Sequence, residues 1–205
     1  MVSSPYIITG LSNGIYGITV TDDNGSMGTS SAVVANLPVK NTNGPVYFAT
    51  IQAAIDAATA GDVLEVCAGN YTENININKA LTINGPNVGT PGTGARVAEA
   101  VLLNCYIDIN NGGNTTLDGL HIKRTDGATG AYPLAPVNQI ELDGGGTSTV
   151  QNCIFERLGS NTGQEIRAIA TTTAGGPKVI LNNKITGDAT GGLFGGHKSW
   201  ARGIY

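Results

Sequence analysis

"TLDGLHI" at residues 116–122, "TVQNCIF" at 149–155 and "VILNNKI" at 179–185 are three copies of one pattern. In each, an apolar residue is followed two positions later by Gly or Asn, and five positions later by a second apolar residue. Aligning Leu117, Val150 and Ile180 gives steps of 33 and 30 residues, and "TING" with Ile83 supplies an earlier copy 34 residues before Leu117. A second column runs through "YIDI" (106–109), "QIELD" (139–143), "RAIA" (167–170) and "RGIY" (202–205). Its members Ile107, Ile140, Ile169 and Ile204 are spaced by 33, 29 and 35. Two columns at one period, with short strand patterns and no helices between them, predict a solenoid of strand-turn-strand coils. Gly119, Asn152 and Asn182 occupy the turn position, where a positive φ or a side-chain ladder is wanted.

Outward from the repeats, the segment before them carries the one helical signal. Ile51, Ala54, Ile55 and Ala58 form an apolar stripe, with Thr50 as N-cap and Gly61 as the stop. The end of a solenoid exposes an apolar coil and unpaired strand edges. An amphipathic helix over residues 50–59 is therefore expected as its cap.

Composition agrees with this class. Of 205 residues, 13% are charged and 5% aromatic, 30 are Gly, and the net charge is -4. Low charge with 40% hydrophobic residues excludes a disordered chain. The acidic balance carries no basic stripe for nucleic acid, and no apolar run is long enough to span a membrane. "MVSSPYIITG" lacks the features of a secretory signal. Cys67, Cys105 and Cys153 have no zinc-like spacing and read as small buried apolar residues.

Residues 46–87 resemble the opening of the right-handed parallel β-helix families of the pectin-lyase-like superfamily. The matching residues are Thr50-Ile51-Gln52, Ala54-Ile55, Gly61-Asp62, Glu65-Val66, Gly69, Tyr71, Glu73, Ile77, Lys79 and Leu81 to Gly85. With the repeats, the resemblance covers residues 46–205. It implies the fold more than an activity, since the superfamily holds lyases, esterases, hydrolases, epimerases and inert surface proteins.

Residues 1–36 differ: period-two alternation across Ile15 to Val20 lies between turn signals at Ser12-Asn13-Gly14 and Asp23-Asn24-Gly25. They resemble the closing strands of immunoglobulin-like repeats in large adhesins of gliding bacteria, with Ser26 where those repeats usually have Cys. Residues 37–47 read as a linker. Both ends read as cuts, so the expectation is a fragment of a longer surface protein or a subunit whose neighbours supply the missing strands. Open ends invite β-augmentation or end-to-end stacking into a filament.

Candidate sites are few. The resemblance to pectate lyases, which use aspartates for calcium and an Arg for proton abstraction, singles out Asp108, Glu141 and Arg167. Asp108 and Glu141 are expected outward in adjacent coils, roughly 5 Å apart by strand spacing. No other metal site is expected; "TDDNG" (21–25) lacks the spacing of a calcium loop and reads as a hairpin. "DGGGT" (143–147) is a turn and not a phosphate loop. His121 falls on an outward position equivalent to Ile154 and Lys184 and reads as a surface histidine. The sequons Asn70-Tyr71-Thr72 and Asn114-Thr115-Thr116 carry little weight if the source is bacterial. The long insertions 86–100, 123–137, 156–166 and 186–201 are expected to emerge on one face. That face would gather Arg96, Lys123, Arg124, Tyr132, Arg157, His197, Lys198 and Trp200, suited to stacking on and bonding to sugars.

The sequence thus predicts an all-β chain: a right-handed parallel β-helix over 48–205 with a short cap helix, preceded by a small antiparallel partial β-sandwich. The function expected is that of an extracellular, non-catalytic module of a bacterial surface protein, adhesive or filament-forming, with polysaccharide or surface glycan as partner. The alternative is a polysaccharide lyase or carbohydrate esterase fragment. No cofactor is expected, calcium being admitted only with lyase-like chemistry.

Overall fold

The computed structural model describes residues 14–34, 37–44, 46–125, 138–158, 167–171 and 175–187. The chain divides into two units, Met1–Leu37 and Pro38–Tyr205.

In the first unit, β1 (Gly14–Thr21) and β2 (Met27–Val34) form a two-stranded antiparallel sheet. The hairpin is made by Asp22, whose Oδ1 accepts from the backbone N–H groups of Asn24 at 2.9 Å and Ser26 at 2.8 Å. Gly25 follows at φ +83°. The "TDDNG" acid is thus spent on backbone amides, as a hairpin requires.

The second unit is a parallel β-solenoid. It begins with β3 (Val39–Asn41), β4 (Val46–Phe48) and α1 (Ile51–Ala57). Strand triplets follow: β5 (Val63–Val66), β6 (Gly69–Tyr71) and β7 (Ile75–Ile77), then β8 (Thr82–Asn84), β9 (Ala100–Leu103) and β10 (Ile107–Ile109). Next come β11 (Thr115–Asp118), β12 (His121–Arg124) and β13 (Asn138–Leu142), then β14 (Ser148–Gln151), β15 (Ile154–Arg157) and β16 (Arg167–Thr171). β17 (Lys178–Leu181) and β18 (Lys184–Gly187) complete the described residues.

Among the described residues, four coils each give one strand to each of three parallel sheets, β5-β8-β11-β14-β17, β6-β9-β12-β15-β18 and β7-β10-β13-β16, and β17 and β18 extend the first two. The registers match the sequence columns. Leu64, Ile83, Leu117, Val150 and Ile180 stack in one sheet, and Ile75, Ile107, Ile140 and Ile169 in another. The third sheet stacks Tyr71, Leu102, Ile122, Phe155 and Ile185. Leu64, Leu102, Ile122, Ile140, Val150 and Phe155 are 0% exposed. Full burial of such a side chain contributes about 1.5–3 kcal/mol, so the column of stacked apolar residues is the main source of stability.

The helix closes the first coil with Ile51, Ala54 and Ile55 buried. Beneath it lies an apolar cavity of about 10 Å³, lined by Ile51, Ile75, Ile77 and Leu102 among others. That is barely one water's space, without polar groups to hold it. The stretch expected as a linker instead carries β3 and β4, because Val39 and Asn41 alternate inward and pair antiparallel with β5. Asp62 locks this hairpin. Its Oδ2 accepts from Asn41 Nδ2 at 2.7 Å and Thr59 N at 2.9 Å, and its Oδ1 from Asn43 Nδ2 at 2.6 Å.

Gly119, Asn152 and Asn182 adopt φ values of +73°, +55° and +56°, as the repeat requires. Asn104, at φ +55°, turns the chain from β9 to β10 in the same conformation. Cys105 and Cys153 are buried, whereas Cys67 is exposed, and all three are free thiols. Cys67 lies in the bend after β5, outside the inward alternation, so the expectation of burial fails there.

Candidate functional site

Asp108 and Glu141 are register partners on the outer face of the β7-β10-β13-β16 sheet. Asn76 precedes them in the column and Ala170 follows. The Tyr106 hydroxyl donates to Glu141 Oε2, and Asn110 Nδ2 donates to Asp108 Oδ2 at 2.9 Å. Burial holds the Asp108 carboxyl above the usual carboxylate range, and the Asp143 and Glu141 charges push the same way against the Asn110 bond. Burial and the bond to Glu141 raise the Tyr106 phenol.

A carboxyl with a raised pKa beside a carboxylate can hold and pass a proton. Here Glu141 is already engaged by a phenol. Arg167 stands in register with Asn138, three residues before the position opposite Glu141. Among the described residues, no three His, Cys, Asp or Glu side chains converge to hold a metal ion.

The arginines expected on a loop face lie elsewhere. Arg124 and Arg157 end β12 and β15 as register partners, continuing the inward alternation of Ile122 and Phe155. They are 7% and 2% exposed, so neither guanidinium is offered to solvent. Tyr132, His197, Lys198 and Trp200 lie outside the described residues.

His121 is also no free surface group. On the outer face of the β6-β9-β12-β15-β18 sheet its Nε2 lies 3.2 Å from Glu156 Oε2, which Lys123 Nζ approaches at 2.9 Å. Burial lowers the His121 pKa although Glu156 and Glu99 pull it upward. The Glu156 carboxylate is held below its usual range by Lys123 and His121, which outweigh its own burial.

The insertion after β8 is a strap across the turns of later coils. Gly89 N donates to Asp118 Oδ1 at 3.0 Å, and Gly92 N to the Asn182 carbonyl at 2.8 Å. Arg96 forks onto Glu99 at 2.6 and 3.1 Å, and its Nη1 donates to the Asn152 carbonyl at 2.7 Å. Close approach requires glycine: a Cβ on Gly119 would lie 2.3 Å from the Asn87 carbonyl carbon, and one on Gly92 2.5 Å from the Cys153 oxygen. This insertion leaves between β8 and β9, whereas residues 125–137 and 158–166 join β12 to β13 and β15 to β16. The insertions therefore do not share one register. The third sheet intervenes, and the two sequence columns concealed it.

The geometry defines a parallel β-solenoid whose outer polar groups bond one coil to another. By sequence, the chain is 46% identical over 55 residues to a cell surface glycoprotein of Methanothermus fervidus. The match covers 26% of this chain and 9% of that relative's length. No protein-family model and no experimentally determined structure matches the chain.

Proposed function

We propose that this chain is a structural β-solenoid module of a cell-surface protein, non-catalytic, acting as a rigid adhesive or filament-forming element. The observation that carries the proposal is where its charged side chains go. Asp118 bonds Gln151 and Asn152 of the next coil at 2.7 and 2.8 Å, Arg96 reaches Asn152, and Glu156 gathers Lys123 and His121. Such groups stiffen a stack. The similarity to a surface glycoprotein supports the location.

Glycan binding is the finer proposal, with Trp200, Tyr132 and His197 as its residues. The resemblance to pectin-lyase-like proteins is supported by the roles of the matching positions, which build the cap and the first coil. End-to-end association is a second proposal of this kind, and because α1 and β3 close the first coil, it would run through the later coils. Sedimentation of the full chain tests this: a monomer at all concentrations removes the filament reading.

A lyase-like alternative keeps one supporting observation, the pairing in register of Asp108 and Glu141 on the outer face, where burial raises the Asp108 carboxyl. An assay on acidic polysaccharide with calcium separates the two. Steady unsaturated-uronate formation that is lost in Asp108→Asn supports the enzyme and removes the structural reading.

A further inference from the structure

At the capped end, the three sheets finish in three different ways. The β5 edge is extended by antiparallel β3. The β7 edge is satisfied by one side chain: Gln52 Oε1 accepts from Asn76 N at 2.8 Å, and Gln52 Nε2 donates to the Asn76 carbonyl at 3.3 Å. The Gln52 carboxamide thus replaces a strand. The outermost strand of the third sheet is β6, and among the described residues none bonds its backbone from the outer side. An open edge is a template for unwanted pairing unless something covers it.

That edge carries Asn70-Tyr71-Thr72. Strand alternation turns Tyr71 inward, 6% exposed, where its hydroxyl donates to the Cys67 carbonyl at 2.8 Å. Asn70 and Thr72 therefore share the outer face. Both are exposed, and among the described residues neither side chain is held by a hydrogen bond. The other two Asn-x-Ser/Thr triplets sit in turns: Asn114 Oδ1 accepts from Thr147 N at 3.1 Å, and Asn24 stands in the tight Asp22 hairpin.

We propose that Asn70 is a site of N-linked glycosylation and that its glycan stands over the open β6 edge. The sequon needs an amide and a hydroxyl two residues apart on an accessible surface of an exported protein, so the inference rests on the surface reading. In the transfer, Asn70 Nδ2 loses a proton to a base of the transferase and bonds to the anomeric carbon of a lipid-phosphate-linked oligosaccharide. The carbon–oxygen bond to phosphate breaks, and its electron pair leaves with the lipid phosphate. Thr72 supplies the hydroxyl that the transferase reads.

The test is peptide mass spectrometry on the full chain recovered from fractionated cells that naturally make it, as wild type, Thr72→Val and Thr72→Ser. The expected result is an oligosaccharide mass on the Asn70 peptide from the surface fraction. It is lost in Thr72→Val and kept in Thr72→Ser. Surface protein whose Asn70 peptide is wholly unmodified overturns the inference and leaves the surface reading standing. Recovery of the chain only from the cytosol overturns both.

Discussion

The Glu73 carboxylate grips the first turn of the cap helix: Oε1 accepts from Ile51 N at 2.8 Å and Oε2 from Gln52 N at 2.9 Å. Thr50 Oγ1 takes the next amide, Ala53 N, at 3.1 Å. A helix of seven residues has too little intrinsic stability to hold itself. Its place over the first coil is therefore set by a side chain from the β6–β7 turn. Glu73→Ala should cost about 2 kcal/mol, the range for a charge-assisted bond left unmade. Urea unfolding checks this, with Glu73→Gln intermediate because it keeps one acceptor.

Ile55 is 0% exposed beneath that helix. Ile55→Asp buries an unpaired charge and should cost roughly 3–5 kcal/mol. Loss of soluble expression is the expected outcome. Unchanged thermal stability would remove the capping role.

The strap ties early coils to late ones. Arg96 and Glu99 side chains are 7% and 18% exposed, so Arg96→Ala leaves a partly buried carboxylate held only by Asn87 Nδ2 at 2.9 Å, at a cost of about 1–3 kcal/mol. Hydrogen exchange should show β17 and β18 losing protection first in this variant, while β8 and β11 keep theirs. Equal loss in all coils would mean that the strap does not couple them.

Two groups set opposite pH responses. Asp62 is held below its usual 3.8, first by the Asn41 bond and then by the Thr59 amide. Its contribution is complete above pH 3.8 and is lost as pH falls through the folded value. Asp108 is raised, so the unfolded chain gives up its proton first and stability declines as pH rises from 3.8 through the folded value. Asp62→Asn should flatten the acid limb of a melting-temperature profile, and Asp108→Asn should raise the melting temperature at neutral pH.

For glycan binding, Trp200→Ala should weaken retention on acidic polysaccharide by about 1–2 kcal/mol, the scale of an aromatic contact, with the melting temperature unchanged. Equal retention of wild type and variant would discard Trp200 as the stacking residue.

Much of the fold was legible because a solenoid writes its register into the sequence. Leu117, Val150 and Ile180 recur at steps of 33 and 30 residues, and the structure pairs them. The third sheet was hidden because its strands adjoin the first across a tight Gly or Asn turn, so each seven-residue motif holds two strands. Polar sites were less legible. The Asp108–Glu141 pairing follows from register, but nothing local marks Tyr106 as the donor to Glu141, because that contact crosses coils. Arg124 and Arg157 look like surface cations by type. Only their alternation with Ile122 and Phe155 places them inward.

The location of the chain on intact cells tests the central claim most directly. Immunogold labelling with an antibody raised against the full chain should decorate unbroken cells of the source organism. Labelling that appears only after the cells are broken open would contradict a surface module.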